Sequence, residues 1–314
     1  MLWGAIIVAA GRGTRFGRPK QLVELAGAPM LSWSMRTFAQ MPEIVDLVVV
    51  TEDEWIDTVR AMAAQLSSKP VTVVGGGERR QDSVAKGLDA LPERVAGVLV
   101  HDGARPLVKA NDVRNAMRVV RDGHAAVLGV PVVDTIKVVD NASRLVTRTL
   151  DREALWAAQT PQAATVRDLR RAHAEAARNG VGGTDEAMLL ERAGIEVELV
   201  ESSRENFKIT VPDDLRRAEQ LLRDRHEQMP GEEEVLLVEI FTDANLIDAV
   251  CTEIESRGGT VDGLDRDLPS GVAIRAYVAA EHFEGFGERF EAIGDGSMTF
   301  TTRFSHYAGR TETV

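Results

Sequence analysis

The amino-acid sequence predicts an α/β protein: a Rossmann-like parallel sheet covered by helices on both faces, with a β-hairpin arm, followed by a small α+β domain of the ferredoxin-like kind. Three observations predict it. From the start to about Arg225, short apolar β-branched runs alternate with amphipathic stretches, the pattern of repeated β-α-β units. The first apolar run empties directly into a loop of glycines and cations. Beyond Arg225 the composition changes and the elements read β-α-β-β-α-β.

The first expected strand is Ala5 to Ala10. It leads into Gly11-Arg12-Gly13-Thr14-Arg15-Phe16-Gly17-Arg18-Pro19-Lys20-Gln21, which holds three glycines, three arginines and a lysine. Glycines let backbone N–H groups approach an oxyanion without Cβ interference, and the cations neutralise a polyphosphate. A Walker loop, Gly, four residues, then Gly-Lys-Ser/Thr, occurs nowhere in the chain. A dinucleotide fingerprint fits poorly, because Phe16 stands where its third small residue belongs; Glu52 and Asp53 are the only candidates for its ribose contact.

The strands expected next are Leu47 to Thr51, Val71 to Gly75, Gly97 to His101, Ala125 to Pro131 and Val197 to Val200. Between and after them, helical patterns cover Met30 to Ala39, Trp55 to Gln65, Ser83 to Leu91, Asn111 to Asp122, Val166 to Asn179, Asp185 to Ala193 and Pro212 to Arg225. In open α/β sheets ligands bind beyond the carboxyl ends of the strands, so the loops there are where chemistry is expected. Residues 134–150 break the rhythm and read as two alternating strands around Asn141-Ala142-Ser143. A lone two-stranded ribbon is marginal in water, and its simplest partner is a second copy of the chain.

Residues 226–234 are polar, broken by Pro230-Gly231, and read as a linker. The domain at 235–314 is expected to run strand Val235 to Phe241, helix Asn245 to Arg257, strands Gly259 to Leu264 and Val272 to Ala279, helix Glu281 to Ile293 and strand Ser297 to Ser305. No lysine occurs beyond Lys208, so this half is not expected to bind phosphate.

The 314 residues carry a formal charge of -12 with a pI near 5.1, which argues against nucleic acid or an anionic membrane as partner. The single Cys251 excludes an intrachain disulfide and suits a reducing cytoplasm. The first apolar run is too short to span a bilayer and does not read as a secretion signal.

Two further loops follow strands. Asp102-Gly103-Ala104-Arg105-Pro106 places an acid where it can hold Mg²⁺ against phosphates, with Arg105 orienting the loop or the carboxylate; taken alone it also reads as a capped turn. Gly75 to Val84 offers amides and Ser83 to a base or sugar, and reads equally as a capping loop.

Taken together, Ala9-Ala10-Gly11 with Arg15 and Pro19-Lys20-Gln21, Gly76-Gly77 with Arg80 and Ser83-Val84, His101-Asp102-Gly103-Ala104-Arg105-Pro106, Pro131 with Asp134-Thr135, Asp151-Arg152 with Leu155-Trp156, Gln159-Thr160-Pro161-Gln162, Thr184-Asp185-Glu186 and Asn206-Phe207-Lys208-Ile209-Thr210 resemble, in order, the 2-C-methyl-D-erythritol 4-phosphate cytidylyltransferases. The resemblance covers about residues 1–225 and implies a nucleotidyltransferase domain. It implies Arg15 and Lys20 on the CTP triphosphate, Lys208 facing the α-phosphate, and Asp102 placing Mg²⁺ and substrate. Ala10, Gly11, Gly13, Gly77 and Ser83 would hold CTP. Asp102, Arg105, Thr135, Arg152 and Thr184 would meet the sugar phosphate, with the hairpin arm of a dimer partner contributing. A phosphate nucleophile is already ionised at neutral pH, so His101, His124 and His173 receive no catalytic role.

Residues 235–308 resemble the last domain of elongation factor G through Arg275 to Val278, Phe286 to Phe290 and Phe304-Ser305-His306-Tyr307, without a GTPase domain ahead of them. An appended binding or oligomerisation module is expected. Two other readings stay open: a ribitol 5-phosphate cytidylyltransferase, and a non-catalytic CTP-sensing or ribosome-associated protein.

Overall fold

The computed structural model describes residues 1–11, 20–67, 69–227, 232–268, 271–283, 285–294 and 298–309. The chain divides into two compact units, 1–23 with 29–218 and 24–28 with 219–314.

The first unit is built on β1 (Trp3–Val8), β4 (Ile44–Thr51), β5 (Val71–Gly75), β6 (Gly97–Asp102), β7 (Ala125–Pro131), β10 (Trp156–Thr165) and β11 (Val197–Glu201). Short pieces β2 (Glu24–Leu25) and β3 (Ala28–Pro29) pair with each other, and β8 (Lys137–Val139) with β9 (Val146–Thr149). The seven-stranded sheet has the order β11-β7-β10-β6-β1-β4-β5. β1 runs parallel to both β4 and β6, β4 to β5, and β7 to β11. Trp3, Ala5, Ile6 and Ile7 are fully buried, as a strand covered on both faces requires.

The expected parallel sheet needs one correction: β10 lies antiparallel between β6 and β7. Its sequence, Trp-Ala-Ala-Gln-Thr-Pro-Gln-Ala-Ala-Thr, lacks the β-branched run that marks the other strands. It is a strand because the backbones of two apolar neighbours flank it, and its register shifts between Ala158 and Gln162, around the proline.

Helices α1 (Met30–Gln40), α2 (Ile56–Leu66), α3 (Arg80–Asp89), α4 (Ala110–Arg121), α5 (Val166–Arg178) and α6 (Glu186–Arg192) cover the sheet, and α7 spans Pro212–Glu227. One core gathers Ile7, Leu31, Phe38, Val49, Leu99 and Met117; the other gathers Ile6, Val48, Val84, Leu88, Val98 and Leu169. A Cβ at Gly87 would come within 2.6 Å of Ile6, so glycine there lets α3 lie close on the sheet. β8 and β9 form the expected hairpin as a separate ribbon, with Leu145 69% and Val146 58% exposed.

In the second unit β12 (Glu232–Thr242), α8 (Ile247–Ser256), β13 (Thr260–Leu268), β14 (Gly271–Ala279), α9 (Phe286–Gly294) and β15 (Thr299–Gly309) follow the expected β-α-β-β-α-β order. The sheet order is β13-β14-β12-β15, antiparallel throughout. Val238, Ile240, Val250, Ile254, Ile274, Phe286 and Phe290 form its core. Within the stretch read as a linker, α7 continues to Glu227 and β12 begins at Glu232, and residues 228–231 lie outside the described residues. Among the described residues no helix is long and apolar enough to cross a membrane.

Candidate active site

Asp102 closes β6 at the carboxyl edge of the sheet and is 7% exposed. Its backbone N–H donates to Thr160 Oγ1 at 3.0 Å, which fixes the strand end against β10. Its carboxylate is held on both sides: Arg80 Nε donates to Oδ1 at 2.9 Å and Lys208 Nζ to Oδ2 at 2.7 Å. Arg80 in turn gives NH1 to both oxygens of the buried Glu186, at 3.0 and 2.7 Å. Burial by itself would raise the Asp102 carboxyl, but the Arg80 and Lys208 charges overcome it and hold the group well below the usual carboxylate range.

A cavity of about 500 Å³ opens on one side of this cluster, lined by Ala10 and Gly11 after β1, Glu52 and Asp53 after β4, Gly76 and Gly77 after β5, and Ser83 in α3. A Cβ at Gly76 would stand 2.3 Å from the Ala10 Cβ, so only glycine lets the two loops meet. Gly77 N–H donates to Ser83 Oγ at 3.0 Å, which fixes the loop on the helix start.

A smaller cavity of about 220 Å³ opens on the other side, lined by Arg105, Gln159, Thr160, Gln162, Thr184 and Asp185. Arg80, Asp102 and Lys208 line both cavities and form their common wall. Arg105 orients the loop rather than the carboxylate: it donates to the backbone oxygens of Asn206 at 2.8 Å and Ala158 at 3.4 Å. Asn206 ties the same region together by donating to Gln159 Oε1 and Thr160 O.

The structure thus gathers Ala10, Gly11, Gly77, Ser83, Asp102, Arg105, Thr184 and Lys208 around one wall. Thr135 and Arg152 line neither cavity; they sit exposed at the root of the hairpin, where Arg152 donates to Val133 O. Gly13, Arg15 and the side chain of Lys20 lie outside the described residues. His101 is fully buried and desolvation pushes its imidazole down to about 4; burial takes His173 to about 4 as well, so both are neutral near pH 7.

Sequence reasoning gave no role to Arg80 or Glu186. Arg80 did carry a signal. A cation in the first turn of a helix opposes the macrodipole, so Arg80 at the start of α3 calls for acidic partners elsewhere. Glu186, an acid in the first turn of α6, suits the dipole and carries no such mark.

A mostly parallel sheet with a glycine-lined cavity at its strand ends, walled by a carboxylate clamped between two cations, defines an α/β protein that handles phosphorylated nucleotides. Residues 4–224 match the family described as 2-C-methyl-D-erythritol 4-phosphate cytidylyltransferase, IspD, and the chain belongs to it. It is 43% identical over 229 residues to the bifunctional enzyme IspD/IspF of Desulfotalea psychrophila, covering 72% of this chain and 58% of that one. It is 41% identical over 223 residues to the 2-C-methyl-D-erythritol 4-phosphate cytidylyltransferase of Nostoc sp. (strain PCC 7120), covering 70% of this chain and 97% of that one. The crystal structure of the enzyme of that name from Thermus thermophilus superposes with a TM-score of 0.58 at 33% identity, covering 71% of this chain and all of that one.

Proposed function

We propose that the chain transfers CMP from CTP to 2-C-methyl-D-erythritol 4-phosphate, giving 4-CDP-2-C-methyl-D-erythritol and pyrophosphate. One observation carries the site assignment: two cavities of unequal size meet at a wall made of Arg80, Asp102 and Lys208. The larger takes CTP, with Ala10, Gly77 and Ser83 at the nucleoside. The smaller takes the polyol phosphate, with Thr184 and Arg105 beside it. A phosphate oxygen of the polyol attacks the α-phosphorus, the bond to the β-phosphate oxygen breaks, and pyrophosphate leaves. Lys208, on the wall, meets the charge that develops on the α-phosphoryl oxygens. The nucleophile is already an anion, so neutral His101 and His173 have no proton to move.

We read Asp102 as the residue that would offer an oxygen to Mg²⁺. Among the described residues no group of three His, Cys, Asp or Glu side chains gathers into a metal cage, and one carboxylate with substrate phosphates and water is an ordinary Mg²⁺ shell. A cation held there would supply neutralisation of triphosphate charge.

We place the enzyme in the cytoplasm as a homodimer. The exposed apolar residues of the hairpin support the second point, and Thr135 and Arg152 at its root would then serve a site completed by two copies. The C-terminal domain is read as an appended binding or oligomerisation module, and a chain ending at Glu227 is expected to keep its turnover; a folded but silent one would contradict this.

The test of the reaction is pyrophosphate release from CTP and Mg²⁺ with methylerythritol phosphate and with ribitol 5-phosphate, side by side. A preference for the former of about 100-fold or more in kcat/KM is expected. Preference for ribitol 5-phosphate, or silence with both, would overturn the assignment.

A further inference from the structure

The hydrogen bonds of Arg80 run to two carboxylates of the protein. Nε is given to Asp102, Nη1 is given to both oxygens of Glu186, and Nη2 is enclosed without an acceptor. A guanidinium beside a lone carboxylate ordinarily forms a two-bonded fork that occupies both oxygens. Here the fork stays open: Nη2, the nitrogen that shares an edge with Nε and would close on the second Asp102 oxygen, has no acceptor, while Glu186 holds the guanidinium from its other side through Nη1 and so fixes its tilt. Asp102 is left with one oxygen, Oδ1, bonded by Arg80 and the other, Oδ2, by the ammonium of Lys208, a single donor at the end of a four-carbon stem.

Glu186 is itself held in place. It is 1% exposed at the first turn of α6, and that helix start is tied to β10 because Gln162 donates to Asp185 at 2.8 Å and accepts from the Ala187 N–H at 2.8 Å. A buried ion pair adds little stability over a well-packed apolar pair, since desolvation offsets its attraction, although removing one partner strands the other.

We propose that Glu186 is a positioning residue that keeps Arg80 singly bonded to Asp102, so that Asp102 Oδ2 stays exchangeable between Lys208 and an incoming substrate-borne group. When the triphosphate draws Lys208 towards the α-phosphate, Oδ2 is released while Oδ1 remains pinned. Without Glu186, the Arg80 fork closes on both oxygens and the wall between the two cavities is locked. The inference rests on the proposed cytidylyl transfer for its kinetic consequence, but not for its structural one.

Glu186→Gln keeps the size and removes the charge. The expected result is a loss of about 30-fold or more in kcat, with the calorimetric Kd for CTP within about threefold of the parent. Arg80→Lys in the same background is expected to recover about fivefold or more, because an ammonium cannot form the fork. A crystal structure of Glu186→Gln without ligands is expected to show two Arg80 nitrogens on the two Asp102 oxygens. Unchanged kcat, a loss not relieved by Arg80→Lys, or Arg80 still singly bonded to Asp102 in the crystal would each overturn the proposal. If Glu186→Gln does not fold, Glu186→Asp decides: a kcat about tenfold or more below the parent with two Arg80 nitrogens on Asp102 in its crystal structure supports the proposal, and parental kcat or an Arg80 still singly bonded to Asp102 contradicts it. A parent chain silent with both polyol phosphates would sink the proposed reaction and leave the crystal test of Arg80 standing.

Discussion

Lys208 Nζ lies 2.7 Å from Asp102 Oδ2, joining the end of β6 to a loop 106 residues further along the chain. This contact stands in the common wall of two cavities; in the proposed reaction it stores the cation that the transferred phosphoryl group needs on the carboxylate facing the second substrate.

Lys208→Ala removes that cation. The expected cost is about 3 kcal/mol in kcat, the scale seen when one preorganised donor to developing charge is lost, with the circular dichroism spectrum unchanged. Steady-state turnover checks it, and a variant within about threefold of the parent would contradict the role given to Lys208.

Gly76→Ala tests the nucleotide cavity. The added methyl stands 2.3 Å from the Ala10 Cβ and must push the β1 and β5 loops apart. Overpacking of about 1–3 kcal/mol is expected to appear as a rise of about tenfold or more in the KM for CTP, with a smaller change in the KM for the polyol phosphate. Equal effects on both substrates would argue that this cavity is not the nucleotide's.

His173 governs part of the acid response. Its folded-state pKa lies near 4, below the ordinary 6.5, so the unfolded chain takes up a proton at a higher pH than the native one. Stability from this residue is present above about pH 6.5 and is lost as pH falls towards 4. His173→Leu should therefore lose less stability than the parent between pH 7 and 4.5, by about 2 kcal/mol, in urea unfolding followed by fluorescence. Parallel losses in the two proteins would contradict a neutral buried imidazole.

The hairpin arm predicts an oligomer. Leu145→Asp with Val146→Asp places charge on its exposed apolar side and is expected to shift the light-scattering mass from dimer towards monomer. A parent that is monomeric at micromolar concentration would remove the proposed dimer.

Much of this architecture is legible in the chain because the strands that carry the site are β-branched runs, and each empties into a loop with an unusual residue: Gly11, Gly76 or Asp102. β10 was not legible. Its alanines and glutamines have no strand pattern of their own, and it is held by the backbones of β6 and β7. The wall was half legible: Asp102 and Lys208 sit in recognisable strings, whereas the bond between Arg80 and Glu186 joins residues 106 apart that no local pattern connects. The exposed arm residues Thr135 and Arg152 were named from the resemblance, and a single chain does not bring them to the cavities.

In the proposed reaction a phosphate oxygen of the polyol attacks the α-phosphorus of CTP. Methylerythritol phosphate labelled with ¹⁸O on its phosphate, incubated with CTP, Mg²⁺ and the enzyme, tests it by ³¹P NMR and mass spectrometry. The CDP-methylerythritol product is expected to keep the label, including the oxygen bridging the two phosphorus atoms, with one pyrophosphate released per product. Unlabelled CMP formed by attack of water, or pyrophosphate released without the polyol, would contradict it.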